Sequence, residues 1–352
     1  DEKFTTVIQR SCSKQRRILR EQLESNKFQS CQFRALEAQG SRTKVQRAEL
    51  IKGHIKLGDV TVSLTSTIEK QLNRNFVIFH PSDFSTASAV AFGHALKIAM
   101  QSKAKLDIMH VQTSVGPEKP YWLDFPAVRA TLTQWDILPE GVRPSEVAKA
   151  GVRIRKILAC STDPLETMLR HFDKFPPDLI VLATHQRTGI ERWLHKAVAE
   201  PLARRSRAMT LFVPREGRGF VSLKDGSLAL KKILIPMDHD PDPQAALDKA
   251  LLLVRGLDCV VGKFLLIHVE SRSRRAAPVV HLPDRSGWSF EITVRHGHVV
   301  DEILTTERGW HPDLMVLATQ GHRNFVDALR GSTTEQVLRG AQCPVLAVPA
   351  AR

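Results

Sequence analysis

Tyrosine is almost missing, with one residue in a chain of 352. Aromatic residues of all kinds make up 6%. A platform that stacks single-stranded nucleic acid needs regularly placed rings, so that class is excluded. Cysteine is also scarce. Cys12, Cys31, Cys160, Cys259 and Cys343 are odd in number and far apart. They make neither a disulfide framework nor a Cys-rich zinc site, and they point to a reducing, cytoplasmic setting. No apolar run approaches the roughly 20 residues of a membrane span, so no membrane association is expected. The opening residues DEKFTTVIQRSCSK lack the apolar centre of a secretory signal. Methionine does not occur before Met100, so whether residues 1–72 belong to the native protein is left open. No G-x4-G-K-S/T loop occurs, which removes P-loop ATPases.

What is present is an ordinary globular composition, 42% hydrophobic and 25% charged, with a formal net charge of +14. Much of the excess charge lies in the first quarter, from Lys14, Arg16 and Arg17 to Lys52 and Lys56. Residues 1–72 show no sustained alternation, and only Gln15–Leu23 and Gln32–Ala38 suggest helix. They read as a basic, non-core arm. Such an arm attracts polyanions without sequence readout, but a solvated tail is the plainer reading, and nucleic acid is not an expected partner.

From residue 73 the chain alternates strand and helix. FVIFH (Phe76–His80) predicts a strand, followed by Pro81-Ser82-Asp83 and a helix over Ser85–Gln101. LDIMHV (Leu106–Val111) is a second strand, and a helix falls within Val128–Leu138. VRIRKIL (Val152–Leu158) is the third strand. A helix over Pro164–Phe172 follows, with Asp163 as its cap. DLIVLAT (Asp178–Thr184) is a fourth strand, then come a helix over Glu191–Arg205 and a last strand, MTLFVP (Met209–Pro214). The order then repeats. ILIPMD (Ile233–Asp238) mirrors FVIFHPSD. A helix over Gln244–Val254 precedes FLLIHV (Phe264–Val269), which mirrors LDIMHV. SFEITVRHG (Ser289–Gly297) and a helix over Val299–Thr306 come next. DLMVLAT (Asp313–Thr319) matches DLIVLAT, and PVLAVP (Pro344–Pro349) matches the last strand. The expected organisation is an arm (1–72), a first α/β domain (73–214), a linker (215–230) whose Asp225-Gly226 marks a tight hairpin, and a second α/β domain (231–352). Each domain is an open, mostly parallel sheet of five strands with helices on both faces.

In such a sheet a ligand sits beyond the carboxyl ends of the strands, where the strand order reverses. In the second repeat this selects Pro236, Met237 and Asp238, then Val269, then the segment from Ala318 to Leu338. Within it Gly321 permits close backbone approach, and Gly331, Ser332 and Thr333 open a helix whose free amides suit phosphate oxygens. Ser332 and Glu335 also read as a capping box, and the local sequence weighs the two roles equally. His281, His296, His298 and His311 lack carboxylate partners at ligand spacing, so no metal site is expected. Ser114, Ser161 and Ser206 lack a nucleophile elbow, so no catalytic residue is assigned.

These features together resemble the universal stress protein family, in two tandem copies over residues 73–350. The resemblance rests on the strand–Pro-x-Asp openings, the His110-Val111 and His268-Val269 strand ends, the paired Asp-Leu-x-Val-Leu-Ala-Thr strands, and GSTTEQVLR followed by CPVLAV. It implies an adenine nucleotide alpha hydrolase-like fold and a stress-response role. ATP-binding members carry G-x2-G-x9-G-S/T, matched here by Ala318-x2-Gly321-x9-Gly331-Ser332 with one glycine replaced by alanine. By that resemblance Asp238 contacts the nucleoside, the backbone at Val269 meets the adenine edge, and Gly321, Gly331, Ser332 and Thr333 hold the phosphates. Mg²⁺ is an optional companion, with Asp238 alone to assist it. The first repeat places Gln186 and Lys196-Ala197 at the corresponding positions, so it reads as a degenerate copy. The expected protein binds ATP or a related adenine nucleotide in its second repeat and acts by conformation or partner contacts, with at most slow hydrolysis. The alternative is a nucleotide-independent interaction module whose two repeats pair through their last strands. Association of two chains is equally compatible with the pattern.

Overall fold

The computed structural model describes residues 49–51, 54–57, 60–63, 76–112, 125–184, 199–206, 208–258, 262–270, 276–283, 287–319 and 333–349. The chain divides into two compact units, Asp1–Thr67 and Ile68–Arg352. In the first, β1 (Glu49–Ile51), β2 (His54–Leu57) and β3 (Val60–Ser63) form an antiparallel three-stranded sheet. The sequence reading assigned no strand here. Runs of three or four residues are too short to display a period of two. The helices expected at Gln15–Leu23 and Gln32–Ala38 lie outside the described residues.

The second unit holds ten strands in one sheet. Its first half comprises β4 (Val77–Pro81), α1 (Thr86–Gln101), β5 (Lys105–Gln112), α2 (Val128–Gln134), β6 (Arg153–Cys160), α3 (Pro164–Lys174), β7 (Leu179–Thr184), α4 (Ala199–Arg205) and β8 (Met209–Pro214). Its second half comprises β9 (Lys232–Met237), α5 (Gln244–Gly256), β10 (Gly262–Glu270), β11 (Trp288–His296), α6 (Val299–Trp310), β12 (Leu314–Thr319), α7 (Thr333–Gly340) and β13 (Val345–Pro349). The strand order is β11-β10-β9-β12-β13-β8-β7-β4-β5-β6. Neighbours within each half run parallel, and β13 meets β8 antiparallel through Val345↔Phe212, Leu346↔Leu211 and Ala347↔Thr210. The two five-stranded sheets are therefore one surface.

Local sequence explains the elements. Ser85 caps α1 by accepting the Ser88 amide at 3.1 Å, and Asp163 caps α3 by accepting the Glu166 amide at 2.9 Å. The central strands are apolar throughout because both faces are covered. On β7, Leu179 and Val181 face one core and Ile180 and Leu182 the other. One core is continuous across both halves and contains the inner faces of α1 and α5, while α3 and α6 pack on separate cores across the sheet. A 3₁₀ helix over Pro144–Ala150, which the sequence reading lacked, follows α2.

Between the halves, Val221 and Leu228 form an antiparallel bridge around Asp225-Gly226, with Gly226 at φ +67°. The hairpin sits on the first repeat. Trp135 Nε1 donates to the Leu223 carbonyl at 3.1 Å, and the Val221 amide donates to His94 Nε2 at 3.3 Å. His94 Nδ1 in turn donates to the Val90 carbonyl at 2.9 Å.

Candidate functional site

The second repeat parts its sheet where the strand order reverses. β9 and β12 pair only through Leu314↔Ile233 and Met315↔Leu234. β9 continues beside β10 as far as Met237↔His268, and β12 beside β13 as far as Thr319↔Pro349. A crevice thus opens between Pro236–Asp238 and Val316–Thr319 at the carboxyl ends, the place this topology reserves for ligands. Pro236 lies on its wall and contributes no amide donor.

The wall is held from behind. His268 Nδ1 donates to the Met237 carbonyl at 3.1 Å, fixing the backbone just before Asp238. Asp238 is exposed, and its Oδ1 accepts the His239 amide at 2.7 Å. Val269 stands one residue beyond the end of the β9–β10 ladder. His239 Nε2 donates to the Ala276 carbonyl at 2.9 Å. The Gln244 side chain accepts the His281 amide at 2.8 Å and donates to its carbonyl at 3.3 Å. Residues 276–283 are thereby strapped to the start of α5. Opposite, Ala318 is half-buried, and the buried Thr319 hydroxyl donates to the Val348 carbonyl at 3.3 Å, toward β13. Thr333 is exposed at the start of α7, and Glu335 is ion-paired with Arg339 one turn on. Pro236, Met237, Asp238, Val269 and Ala318 thus gather at one end of the sheet. Gly321, Gly331 and Ser332 lie outside the described residues, as do Gln186, Lys196 and Ala197 of the first repeat.

The first repeat has the same topology with a different filling. β4 and β7 pair only through Ile78↔Leu179 and Phe79↔Ile180. The shared register makes His80 the counterpart of Ile235, Ser82 of Met237 and His110 of His268. His110 Nδ1 donates to the Ser82 carbonyl at 2.7 Å, so the histidine tie occurs twice. His80 is fully buried, donates from Nδ1 to the Val181 carbonyl at 3.0 Å, and holds Nε2 3.2 Å from Ser88 Oγ. Ser88 Oγ lies 3.2 Å from Ser82 Oγ, which completes a buried polar chain across the parting. Burial lowers the His80 pKa from 6.5 to about 4, so the ring is neutral. Phe84, at φ +63°, stacks on His110 at 4.0 Å and meets Phe125 edge-on at 5.3 Å. Asp83 Oδ1 accepts the Ser85 amide at 3.0 Å and so serves the turn into α1, whereas the cap itself is Ser85. The sequence pattern gives His80 and Phe84 no role here, whereas Phe125 belongs to an apolar stripe expected to pack in the core, as it does. A histidine at the end of an apolar strand was the only outward sign of the other two.

Two histidines differ from expectation. His296 Nδ1 lies 3.3 Å from Glu270 and His298 Nδ1 lies 3.3 Å from Asp301, so each has a carboxylate partner. No group of three metal-ligating side chains occurs among the described residues. Among them, too, no helix is long and apolar enough to cross a membrane.

Two open α/β sheets, each parted where its strand order reverses, define a doubly wound tandem protein. The universal stress protein family model matches residues 77–214 and 269–349, well over half the chain, and the chain belongs to that family. A solved universal stress protein from Archaeoglobus fulgidus DSM 4304 aligns at 16% identity with a TM-score of 0.51, over 78% of this chain and 96% of that one. A protein described as a universal stress protein from Pseudomonas aeruginosa UCBPP-PA14 aligns at 15% identity with a TM-score of 0.49, over 79% and 95%. A universal stress protein in complex with cAMP aligns at 20% identity with a TM-score of 0.29, over 40% and 97%. No curated protein sequence matches the chain.

Proposed function

We propose that this protein binds ATP or another adenine nucleotide in the crevice between β9 and β12, and that it serves a cytoplasmic stress response through conformation or partner contacts. In this reading residues 73–214 and 231–352 are the two family domains, 215–230 the hairpin between them, and 1–72 an arm outside the core. The observation that carries the proposal is the two-pair β9–β12 ladder, which ends before Pro236 and leaves a gap at the switch point. Asp238 stands at its lip for the nucleoside hydroxyls. Val269, past the end of the β9–β10 ladder, offers main-chain groups to the adenine edge. Thr333 continues Gly331-Ser332 into the amide end of α7, where phosphate oxygens are favoured. Mg²⁺ bound to the phosphates would add charge neutralisation, with Asp238 as the protein's contribution to its shell. In the first repeat, His80 and Ser82 belong to a buried polar chain through Ser88 where the second repeat has Ile235 and Met237, which supports a single nucleotide per chain.

Equilibrium dialysis with ATP tests the proposal. One ATP per chain is expected, with binding lost in Gly331→Lys and weakened in Asp238→Ala. Absence of binding, or binding indifferent to Gly331→Lys, overturns it.

A further inference from the structure

Strand β11 ends the sheet, and among the described residues nothing pairs with its outer side. It is nine residues long, without lysine or proline, and Ile292 and Val294 on it are 48% and 41% exposed. Edges of this kind invite another strand unless they are guarded. The other edge, β6, is guarded: Arg153, Arg155 and Lys156 fall within four residues, so self-pairing there sets cation beside cation. The α1-side face of β6 is also covered, since Ile154 and Leu158 pack into the core that holds Phe125, Val128 and Leu132.

The hydrogen-bonding direction of β11 can be read from its inner neighbour. Gly262 is opposite Trp288, and the Gly262 amide donates to the Gly287 carbonyl at 3.4 Å. In a parallel ladder the residue opposite such a bridging residue turns its own main chain away. Trp288 therefore points its amide and carbonyl outward, and by alternation so do Phe290, Ile292, Val294 and His296. Antiparallel pairing of two copies must match outward residues with outward residues.

A two-fold axis through Thr293 satisfies that condition. It pairs Ile292 with the partner's Val294, two exposed apolar side chains on one face. On the opposite face it sets Glu291 against the partner's Arg295, and both are exposed in the single chain. The symmetry repeats each pair, giving two apolar contacts and two opposite-charge contacts around Thr293. The segment Glu291-Ile292-Thr293-Val294-Arg295 is thus complementary to itself when reversed. We propose that β11 is a homodimer interface, where two copies join antiparallel about Thr293 and extend the ten-stranded sheet into one of twice that width.

Sedimentation velocity of the full chain over a range of concentrations tests this. A concentration-dependent monomer–dimer equilibrium is expected. Glu291→Arg and Arg295→Glu each turn two attractive pairs repulsive and weaken the dimer about tenfold or more. Both positions are exposed, so the thermal midpoint of the monomer stays unchanged. The double variant Glu291→Arg/Arg295→Glu restores opposite charges in this register alone and recovers the dimer. A wild-type chain that stays monomeric, a dimer indifferent to the single reversals, or a double variant that fails to recover overturns the proposal.

Discussion

His268 Nδ1 is bonded to the carbonyl oxygen of Met237 at 3.1 Å, and this bond ties the end of β10 to the residue before Asp238. The equivalent bond in the first repeat joins His110 to Ser82 at 2.7 Å. The two ties give a paired experiment. His268→Leu frees the wall that presents Asp238, and ATP affinity is expected to fall about three- to tenfold, or roughly 1 kcal/mol. His110→Leu loosens the corresponding wall of the first repeat, outside the proposed site, and leaves ATP affinity unchanged. Isothermal titration of both variants checks the pair, and an equal loss in His110→Leu would contradict a nucleotide site in the second repeat.

Stability falls with acidity because two histidines are buried in the neutral form. Burial lowers both His80 and His94 from 6.5 to about 4. Each has its Nδ1 proton on a backbone carbonyl. The unfolded chain takes up these protons at higher pH than the folded one, so stability is full above about pH 6.5 and is lost as pH falls toward about 4. Each ring contributes up to roughly 1.4 kcal/mol per pH unit within that window. Urea midpoints between pH 7 and 4.5 should decline, and His94→Gln should flatten the slope by about half.

A buried carboxylate anchors the first repeat. Asp107 is fully buried on β5, accepts from Arg155 Nε at 2.9 Å and from Arg155 Nη2, and has Lys105 at 3.4 Å and His171 at 3.8 Å. Burial pushes its pKa up, but the neighbouring His171, the hydrogen bonds and charge of Arg155 and the nearby Lys105 outweigh this and hold it below the usual range. Arg155→Ala leaves that charge short of its main partner and should cost about 3 kcal/mol. The shared register puts Leu265 in the place of Asp107 in the second repeat. The double variant Asp107→Leu/Arg155→Leu removes both charges and should cost less than half as much, as measured by urea unfolding.

The hairpin between the repeats has a steric test. A Cβ at Gly226 would meet the Trp135 ring at 2.5 Å, and the backbone there is left-handed at φ +67°. Gly226→Ala should therefore destabilise the protein by about 2 kcal/mol, read as a lowered thermal midpoint.

The elements of the ten-stranded sheet were legible because apolar runs and helical spacing are local properties. Ser85–Gln101 predicted α1 to within one residue, and both Leu-x-Val-Leu-Ala-Thr strands stand where their letters suggest. The family was legible through the same repeated segments. Other features depend on contacts distant in sequence. Asp107 occupies an apolar strand because Arg155 lies beside it across the sheet. Phe84 reads as a loop residue until His110 and Phe125 arrive around it. The extent of α6 was underread: it continues past Thr306 to Trp310, since Glu307, a polar residue by type, is buried and accepts the Gln342 and Cys343 amides at 3.2 and 3.1 Å.

The antiparallel seam between β8 and β13 sets the two halves head to tail. The strand ends that carry Asp83 and those that carry Asp238 therefore lie on opposite rims of the sheet, and no small molecule can touch both. Any influence of an occupied rim on the far one would run the length of the strands, across the three residue pairs from Val345↔Phe212 to Ala347↔Thr210 and the core that both halves share.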